Sequence, residues 1–550
     1  MIQKLIYRIK ILRKVSLYAN GVKKFFLIKL ICCFVLLITS LVLPIFYSKF
    51  IEDVILGARL SGFVYIVTGY IVIQLVNSLI SFINNFCTYS MNNTVTVAIR
   101  LKILDNKLKQ DFSEYDNINP GNEKMILDDA VFKLCDFSGV QSTDYFISFG
   151  KMIFLGAALF VMEWRLALVL IVTIPISFVL NHINGTKAKK NNRETWENDK
   201  AWGNWIFTSM WAWREIRALN QENRFLRRFL EYSQKYSKLF RTYTQFWVTR
   251  RFTIPKIKDE FLMQFVVYFL GGVLIYYGHI TIGTLLVFSQ YYAMLTEAVQ
   301  TVVSTDTDLQ INSVQYDKAL AACEEEIIID KTKIKEIPNC NLEFQQVTFR
   351  YPESNTDILK AFSMQIQQGE RVGIVGESGK GKTTLLNLIV GLLQPTVGKI
   401  LFGDKELSEL DLRSVHKKVG FVLQENALFN TTIRENLLYG NENATVAEMR
   451  EACEKACIRS YIEDLPEKYD TIVGEKGIKL SGGQKQRLIL ARLFLRDVDM
   501  FIFDEATSAL DQHSENLIQN AIRSIGDDKT IIVVAHRESS LELCDRLIYL

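Results

Sequence analysis

The residues with the clearest chemical meaning are Gly376, Glu377, Ser378, Gly379, Lys380, Gly381, Lys382 and Thr383, with Thr384 next in line. Their spacing, GxxxxGK[ST], follows the apolar run "RVGIV" and precedes "LLNLIVGLL", so a strand, a glycine-rich loop and a helix are expected in that order. Backbone N–H groups of such a loop and of the helix N-terminus can surround phosphate oxygens. Lys382 can reach the β and γ phosphates of a nucleotide, and Thr383 can ligate Mg²⁺.

A second segment, "DMFIFDEATSALD", complements the first. Its apolar residues 500–503 read as a buried parallel strand that ends on Asp504 and Glu505. Asp504 can hold Mg²⁺ through water, while Glu505 can polarise or deprotonate an attacking water. Two solvated acids at a strand end are the plain alternative, and the co-occurrence of the strand pattern with the phosphate loop decides against it. A third stretch, "LSGGQKQR", opens on two glycines at an expected helix start, a layout suited to gripping a phosphate. No Lys-Thr pair follows it, so its phosphate is not one held by its own loop.

These segments must be carried by elements that the composition divides in two. The chain has 550 residues and is 49% hydrophobic. The excess of apolar residues lies in the first half, the change falling near residues 310–335. We expect an all-α membrane domain of six helices and a cytoplasmic α/β domain of the P-loop ATPase type. Their bounds read as a cytoplasmic segment at 1–24, a transmembrane domain at 25–310, a linker at 311–340 and a nucleotide-binding domain at 341–550. A net charge of only +4 argues against a generally basic nucleic-acid binder. Nine cysteines without a CxxC pair suggest neither a disulfide framework nor a zinc site. Cys453 and Cys457 lie four apart, which on one helix would put both on one face, but they read as ordinary helix residues.

Apolar stretches at about 26–47, 62–83, 146–162, 165–183, 261–278 and 281–299 each approach the roughly 20 residues that cross a bilayer. Lys4, Arg8, Lys10, Arg13, Lys14, Lys23 and Lys24 before the first, and "KAKKNNR" after the fourth, place both on the cytoplasmic side. The connections at roughly 88–145 and 185–258 are long, polar and helix-patterned, so helices should continue from the membrane into the cytoplasm. In the second span Gln74, Asn77, Ser78, Ser81 and Asn85 share one helix face. Polar groups are costly in lipid unless they face the bundle or a cavity, and a cavity-lining role competes with hydrogen bonding between helices. Trp196, Trp202, Trp205, Trp211 and Trp213 read as helix packing rather than substrate contact.

The order Tyr351 in "FRYP", the P-loop, Gln424 in "VLQENALF", "LSGGQKQR", "DEATSALD" and His536 in "VVAHR" resembles the nucleotide-binding domain of ATP-binding cassette (ABC) transporters. With six preceding spans, the chain resembles a half-transporter of the exporter type over nearly its whole length. The resemblance implies that Tyr351 stacks on adenine, that Gln424 contacts Mg²⁺ or the water and senses the membrane domain, and that His536 contacts the γ-phosphate. It also implies that Ser481, Gly482, Gly483, Gln484 and Asp511 face the ATP of a partner subunit. "TIVGEKG" resembles the exporter segment before the signature, while "KQDFSEYD" and "MWAWREIRALNQENRFLRRF" resemble the surroundings of the two coupling helices.

The expected protein is therefore a multi-pass ATPase of the cell membrane, in bacteria the plasma or inner membrane, with ATP and Mg²⁺ as cofactors. Its partners would be a second half-transporter (a homodimer ahead of a heterodimer), membrane lipid and an unidentified substrate, with no nucleic acid. Export of a small peptide or a hydrophobic drug-like compound ranks ahead of lipid flipping or import on an exporter fold. Lys380 and Thr383 stand where relatives often carry a small residue and Ser. The family normally continues for a few tens of residues after the His motif, whereas this sequence stops at Leu550. No peptidase domain precedes the first span in it.

Overall fold

In the computed structural model the described residues are 2–18, 21–52, 63–109, 120–171, 173–249, 253, 263–324, 334, 337, 339–351, 354, 356–377, 379–422, 428–504, 512–534 and 541–550. The chain divides into two compact units near residue 327.

The first unit is helical: α1 (Ile2–Ser16), α2 (Lys23–Lys49), α3 (Phe63–Leu108), α4 (Gly121–Met162), α5 (Trp164–Ile171), α6 (Thr173–Trp211), α7 (Trp213–Ala218), α8 (Glu222–Val248), α9 (Gly271–Tyr276), α10 (Ile282–Ile311) and α11 (Ser313–Glu324). Among the described residues three helical runs are long and apolar enough to cross a membrane, Lys23–Glu52, Phe63–Leu108 and Gly121–Met162. The other three expected spans fall on α5 with the start of α6, on the π-helical turn Met263–Leu270 with α9, and on α10. Apolar side chains such as Phe34, Phe82 and Val161 point outward from these helices, as a lipid solvent allows. At 46 residues α3 is about 69 Å long, more than twice a hydrocarbon core, so the same helix continues well past a membrane face.

Below the apolar stretches the helices are tied by polar contacts. Arg8 of α1 is fully buried: its Nη2 donates to Asp306 Oδ1 on α10 at 2.8 Å, and its guanidinium lies 3.4 Å from the centre of the Tyr145 ring and 5.6 Å from that of Phe137. Tyr7 donates to Asp317 at 2.7 Å, and Lys14 pairs with Glu324. The amide of buried Asn106 donates to the carbonyls of Ala322 and Cys323, each at 3.0 Å, satisfying two of the orphan acceptors at the end of α11. The basic N-terminal segment thus forms a helix braced along α10 and α11. Ile11 and Val15 anchor the same helix in a core with Ile99, Ile103, Leu134, Ala319 and Leu320.

The second unit holds β1 (Leu342–Phe349), β2 (Leu359–Ile366), β3 (Arg371–Val375), α12 (Lys382–Ile389), β4 (Val397–Phe402), β5 (Lys405–Glu406), α13 (Leu412–Lys418), β6 (Val419–Val422), α14 (Ile433–Leu438), α15 (Val446–Lys455), α16 (Arg459–Glu463), α17 (Gly482–Phe494), β7 (Met500–Asp504), α18 (Gln512–Arg523), β8 (Thr530–Val534) and β9 (Arg546–Tyr549). An antiparallel sheet runs β2-β1-β4-β5, and a five-stranded parallel sheet runs β6-β7-β8-β3-β9. Every residue of β7 and β8 is buried, as continuous apolar runs flanked by helices require. Cys453 lies in α15, but that helix ends at Lys455 and Cys457 follows it with φ 53°, so the two do not share a helix face as the spacing alone suggested. All nine cysteines are free thiols, and no metal-binding group of His, Cys, Asp or Glu occurs among the described residues.

Removing one member of a buried pair strands the other. Asp306→Ala should therefore lower stability by about 3–5 kcal/mol, read as a drop in the thermal unfolding midpoint of the purified protein. Arg8→Met, which leaves the less buried member behind, should cost less. The order would be reversed if the pair contributed nothing beyond the packing of the Arg8 stem.

Candidate functional site

The loop between β3 and α12 is set by two glycines in the left-handed region, Gly379 at φ 83° and Gly381 at φ 92°. A Cβ on Gly379 would meet nothing, so that position needs glycine for its backbone alone. A Cβ on Gly381 would also sit 2.5 Å from Ile358 Cγ2. Past the turn, Lys382 begins α12 and its apolar face (Leu385, Leu386, Leu388, Ile389) enters the core beneath the sheet. The Lys382 amine is drawn back over the loop, donating to the carbonyls of Gly376 at 2.7 Å and Glu377 at 3.2 Å. A positive charge is therefore held against the same loop whose N–H groups suit phosphate oxygens. Lys380 is exposed, with its amine 3.9 Å from Glu377.

Thr383 is the next side chain of the helix, and its hydroxyl donates to Asp504 Oδ2 at 3.3 Å. Asp504 ends β7 and is 2% exposed. A hydroxyl and a buried carboxylate at this separation form a hard oxygen donor pair that suits a divalent cation such as Mg²⁺, with further positions left to water and phosphate. Thr384, one step on, meets the hydroxyl of Tyr351 at 3.2 Å, and the Tyr351 ring stands edge-on to Phe349 with centroids 5.0 Å apart. The sequence put Tyr351 far from the loop, at the end of β1; the fold brings it against the first turn of α12.

The "LSGGQKQR" stretch forms the start of α17. Ser481 is its N-cap, accepting from the N–H of Gln484 at 3.3 Å, while the Gln484 side chain accepts from the Ser481 N–H at 2.8 Å. This reciprocal box satisfies two orphan donors at the helix start. The serine hydroxyl accepts in that box and keeps its own O–H to donate. Ser481 and Gly482 are exposed, whereas Gly483 is buried against α18. A Cβ on Gly483 would lie 2.5 Å from Ser514 Oγ and 2.8 Å from Ser514 Cβ. The second glycine of the motif is thus a packing requirement, which the sequence pattern did not disclose. Ser514 lies just beyond the "DEATSALD" run and carries no motif of its own.

Ser378, Gln424, Glu505, Asp511 and His536 lie outside the described residues. So does most of "KQDFSEYD". The segment "TIVGEKG" bends sharply before α17, through Gly474 at φ 80°, Lys476 at φ 50° and Gly477 at φ 73°.

In the first unit the polar face of α3 splits. Asn77 accepts from the Thr39 hydroxyl of α2, which is the helix-to-helix use. Gln74, Ser78 and Asn85 are exposed on the single chain and Ser81 is partly so; the Ser78 hydroxyl donates to its own helix at the Gln74 carbonyl, 3.0 Å away. The tryptophans divide as well. Trp202 stacks near Phe229 and Tyr236, and Trp205 near Phe225, Phe229 and Tyr232, zipping α6 to α8. Trp196 is buried, with the Lys318 amine 4.8 Å from its ring centre. Trp211 and Trp213 are exposed on either side of the junction from α6 to α7.

Two family models match the chain: the ABC transporter transmembrane region over residues 26–299 and the ABC transporter model over residues 359–508. An ATP-dependent lipid A-core flippase of Desulfotalea psychrophila is 30% identical over 416 residues, 73% of this chain and 70% of that protein. A putative multidrug export ATP-binding/permease protein of Bacillus subtilis is 36% identical over 310 residues, 55% of this chain. That match spans about half the length of the Bacillus protein, 52%. The fold matches that of a bacterial Atm1-family ABC exporter with ATP bound, with a TM-score of 0.84, 20% sequence identity and coverage of 96% of this chain and 94% of that one.

Gly483→Ala should force α17 and α18 apart and destabilise the protein by about 1–3 kcal/mol, measured by thermal unfolding. Ser514→Gly in the same chain should recover most of the loss. Equal stability of the single variant and the parent would show that the contact yields without cost.

Proposed function

The chain belongs to the ATP-binding cassette transporters, and from that premise we propose that it is an ATP-driven exporter working as a dimer. The observation that carries the reading is the Thr383–Asp504 pair beside the phosphate loop, in a protein whose other unit is built of membrane-length apolar helices. In this reading the loop 376–381 and Lys382 hold the β and γ phosphates of ATP, Thr384 and Tyr351 border the nucleotide, and the Tyr351 ring stacks on adenine. Thr383, Asp504 and Gln424 are the residues that would hold Mg²⁺, which when bound neutralises phosphate charge and orients the γ-phosphoryl group. Glu505 takes the proton of the attacking water, and His536 contacts the γ-phosphate. Little beyond positioning and charge stabilisation is asked of the protein in phosphoryl transfer, which suits a site shared by two chains.

The second phosphate grip belongs to the partner. Ser481, Gly482, Gly483 and Gln484, with Asp511, face ATP bound to the opposite subunit, and the exposed O–H of Ser481 is the donor they bring. An intact set of these residues lets one chain supply both halves of two equal sites, which favours a homodimer. ATP binds the closed dimer better than the open one, and that difference in affinity drives the membrane units from inward to outward opening. Hydrolysis and phosphate release reset them. The bilayer is the bacterial plasma or inner membrane, with the ATPase domain in the cytoplasm.

A small peptide or hydrophobic drug-like compound is the proposed cargo, moving along a path that includes Gln74, Ser78, Ser81 and Asn85. Likeness to a lipid A-core flippase over most of the chain supports a second reading, in which the cargo is a lipid. ATPase stimulation in nanodiscs by peptides, drugs and lipids, followed by uptake into oriented vesicles, separates the two. Inward rather than outward movement would replace export by import.

Glu505→Gln should retain ATP binding and accumulate a closed dimer, with turnover reduced at least about a hundredfold; normal turnover would remove Glu505 from the base role. Ser481→Arg should abolish hydrolysis although the phosphate loop of the same chain is intact. Mixed with Lys382→Ala chains, it should give dimers with at most one working site. Full activity of Ser481→Arg alone would sink the shared site.

A further inference from the structure

The first 51 residues contain no Asp or Glu and nine Lys or Arg. The fold sorts these cations by face. On the inward side each has a partner: Arg8 with Asp306, Lys14 with Glu324, and Lys29 with the Gly139 carbonyl at 2.7 Å. On the outward side Lys10 and Arg13 of α1, and Lys23 and Lys24 at the start of α2, are exposed and make no ion pair or side-chain hydrogen bond among the described residues.

Nor can the helix roll to hide them. Arg8, Ile11 and Val15 fix the inward face of α1 in the core, so the residues three to four apart on the other side are necessarily presented outward. That outward stripe is mixed: Ile6 is 60% exposed, Ile9 51% and Leu17 70%, interleaved with Lys10 and Arg13. Water alone is a poor solvent for the isoleucines, and hydrocarbon alone is a poor one for the cations. A stripe of both, ending at Leu17 shortly before the span that begins at Lys23, matches the boundary between acyl chains and headgroups.

We propose that the outward face of α1, with Lys23 and Lys24, is a docking surface for anionic phospholipid headgroups of the membrane in which the protein sits. Charge complementarity selects the occupant: four cations without an ion pair or side-chain hydrogen bond among the described residues, and no acid in the segment, attract a negatively charged leaflet, each cation adding to the attraction. A topological role for the charges requires only that they be present; it does not require their sorting onto a face shared with exposed isoleucines. The same helix is clasped to α10 through Arg8 and to α11 through Tyr7 and Lys14, so lipid bound outside bears on the last two helices of the first unit.

The proposal rests on the reading of the chain as a membrane protein and not on ATP turnover. The test accordingly counts lipids. Full-length protein is extracted from vesicles of equal parts phosphatidylglycerol and phosphatidylcholine, and the retained lipids are identified by native mass spectrometry. The parent should retain phosphatidylglycerol in clear excess. Lys10→Gln with Arg13→Gln, which leaves Lys23 and Lys24 to fix the topology, should lower that preference about fivefold; Lys10→Arg should keep it. Equal retention of the two lipids by the parent, or an unchanged preference in the double variant, overturns the proposal. So does displacement of the bound lipid by millimolar free phosphate, which would make the face a plain anion site. An inactive ATPase that still selects phosphatidylglycerol would fault the transporter reading alone.

Discussion

The second unit is organised around one costly fact: a carboxylate, Asp504, 2% exposed at the end of a strand that is buried along its whole length. An ionised carboxyl removed from water is unfavourable unless donors or a cation meet it. The Thr383 hydroxyl supplies a donor at 3.3 Å, and it can do so because the parallel sheet carries β3 and β7 to the same edge with only β8 between them. The strand order therefore does the positioning. Residues more than a hundred apart in sequence meet because parallel strands deliver their C-terminal ends, and the loops that follow them, to one side of the sheet.

The first unit solves the opposite solvent problem. Its apolar side chains point outward and its polar ones must find each other. Where α1, α4, α10 and α11 gather, the answer is a buried guanidinium facing one carboxylate and two aromatic rings, flanked by the Tyr7–Asp317 and Lys14–Glu324 contacts. Further along, between α6 and α8, aromatic rings do the same work without charge. Trp205 touches residues one turn apart on α8 and Trp202 touches two that lie two turns apart, as i, i+3, i+4 and i+7 spacing on two packed helices dictates.

What could be read in the sequence was local geometry and face. The phosphate loop was legible because glycine, lysine and threonine are needed at fixed offsets there, and the left-handed φ values of Gly379 and Gly381 are the reason. The start of α17 was legible from the paired glycines, whereas the cap formed by Ser481 was not. Partners were not legible, because periodicity names the face a residue occupies and not what lies across from it. Asn77 had the right face for a cavity but meets Thr39 instead. Cys457 had the right spacing from Cys453, yet a helix end intervenes, which no spacing rule registers. Arg8 read as one of seven cations that set the cytoplasmic side, and only the three-dimensional arrangement pairs it with a residue nearly three hundred positions away.

The signature helix α17 shows how one motif meets two demands. Its N-terminus must stay open if the amide groups and the partial positive charge there are to face an anion. An open helix start nevertheless leaves donors unsatisfied, and the box formed by Ser481 and Gln484 answers two of them from within the chain. Because the box uses the serine oxygen as an acceptor, it leaves the hydroxyl proton for an outside group, so capping and recognition do not compete. Gly482 adds no side chain at the exposed end. Gly483 lets α18 approach to where any Cβ would collide with Ser514, and that close packing holds the mouth of the helix in place. Serine and glutamine are therefore tied to the cap and Gly483 to the packing, each by a separate physical term.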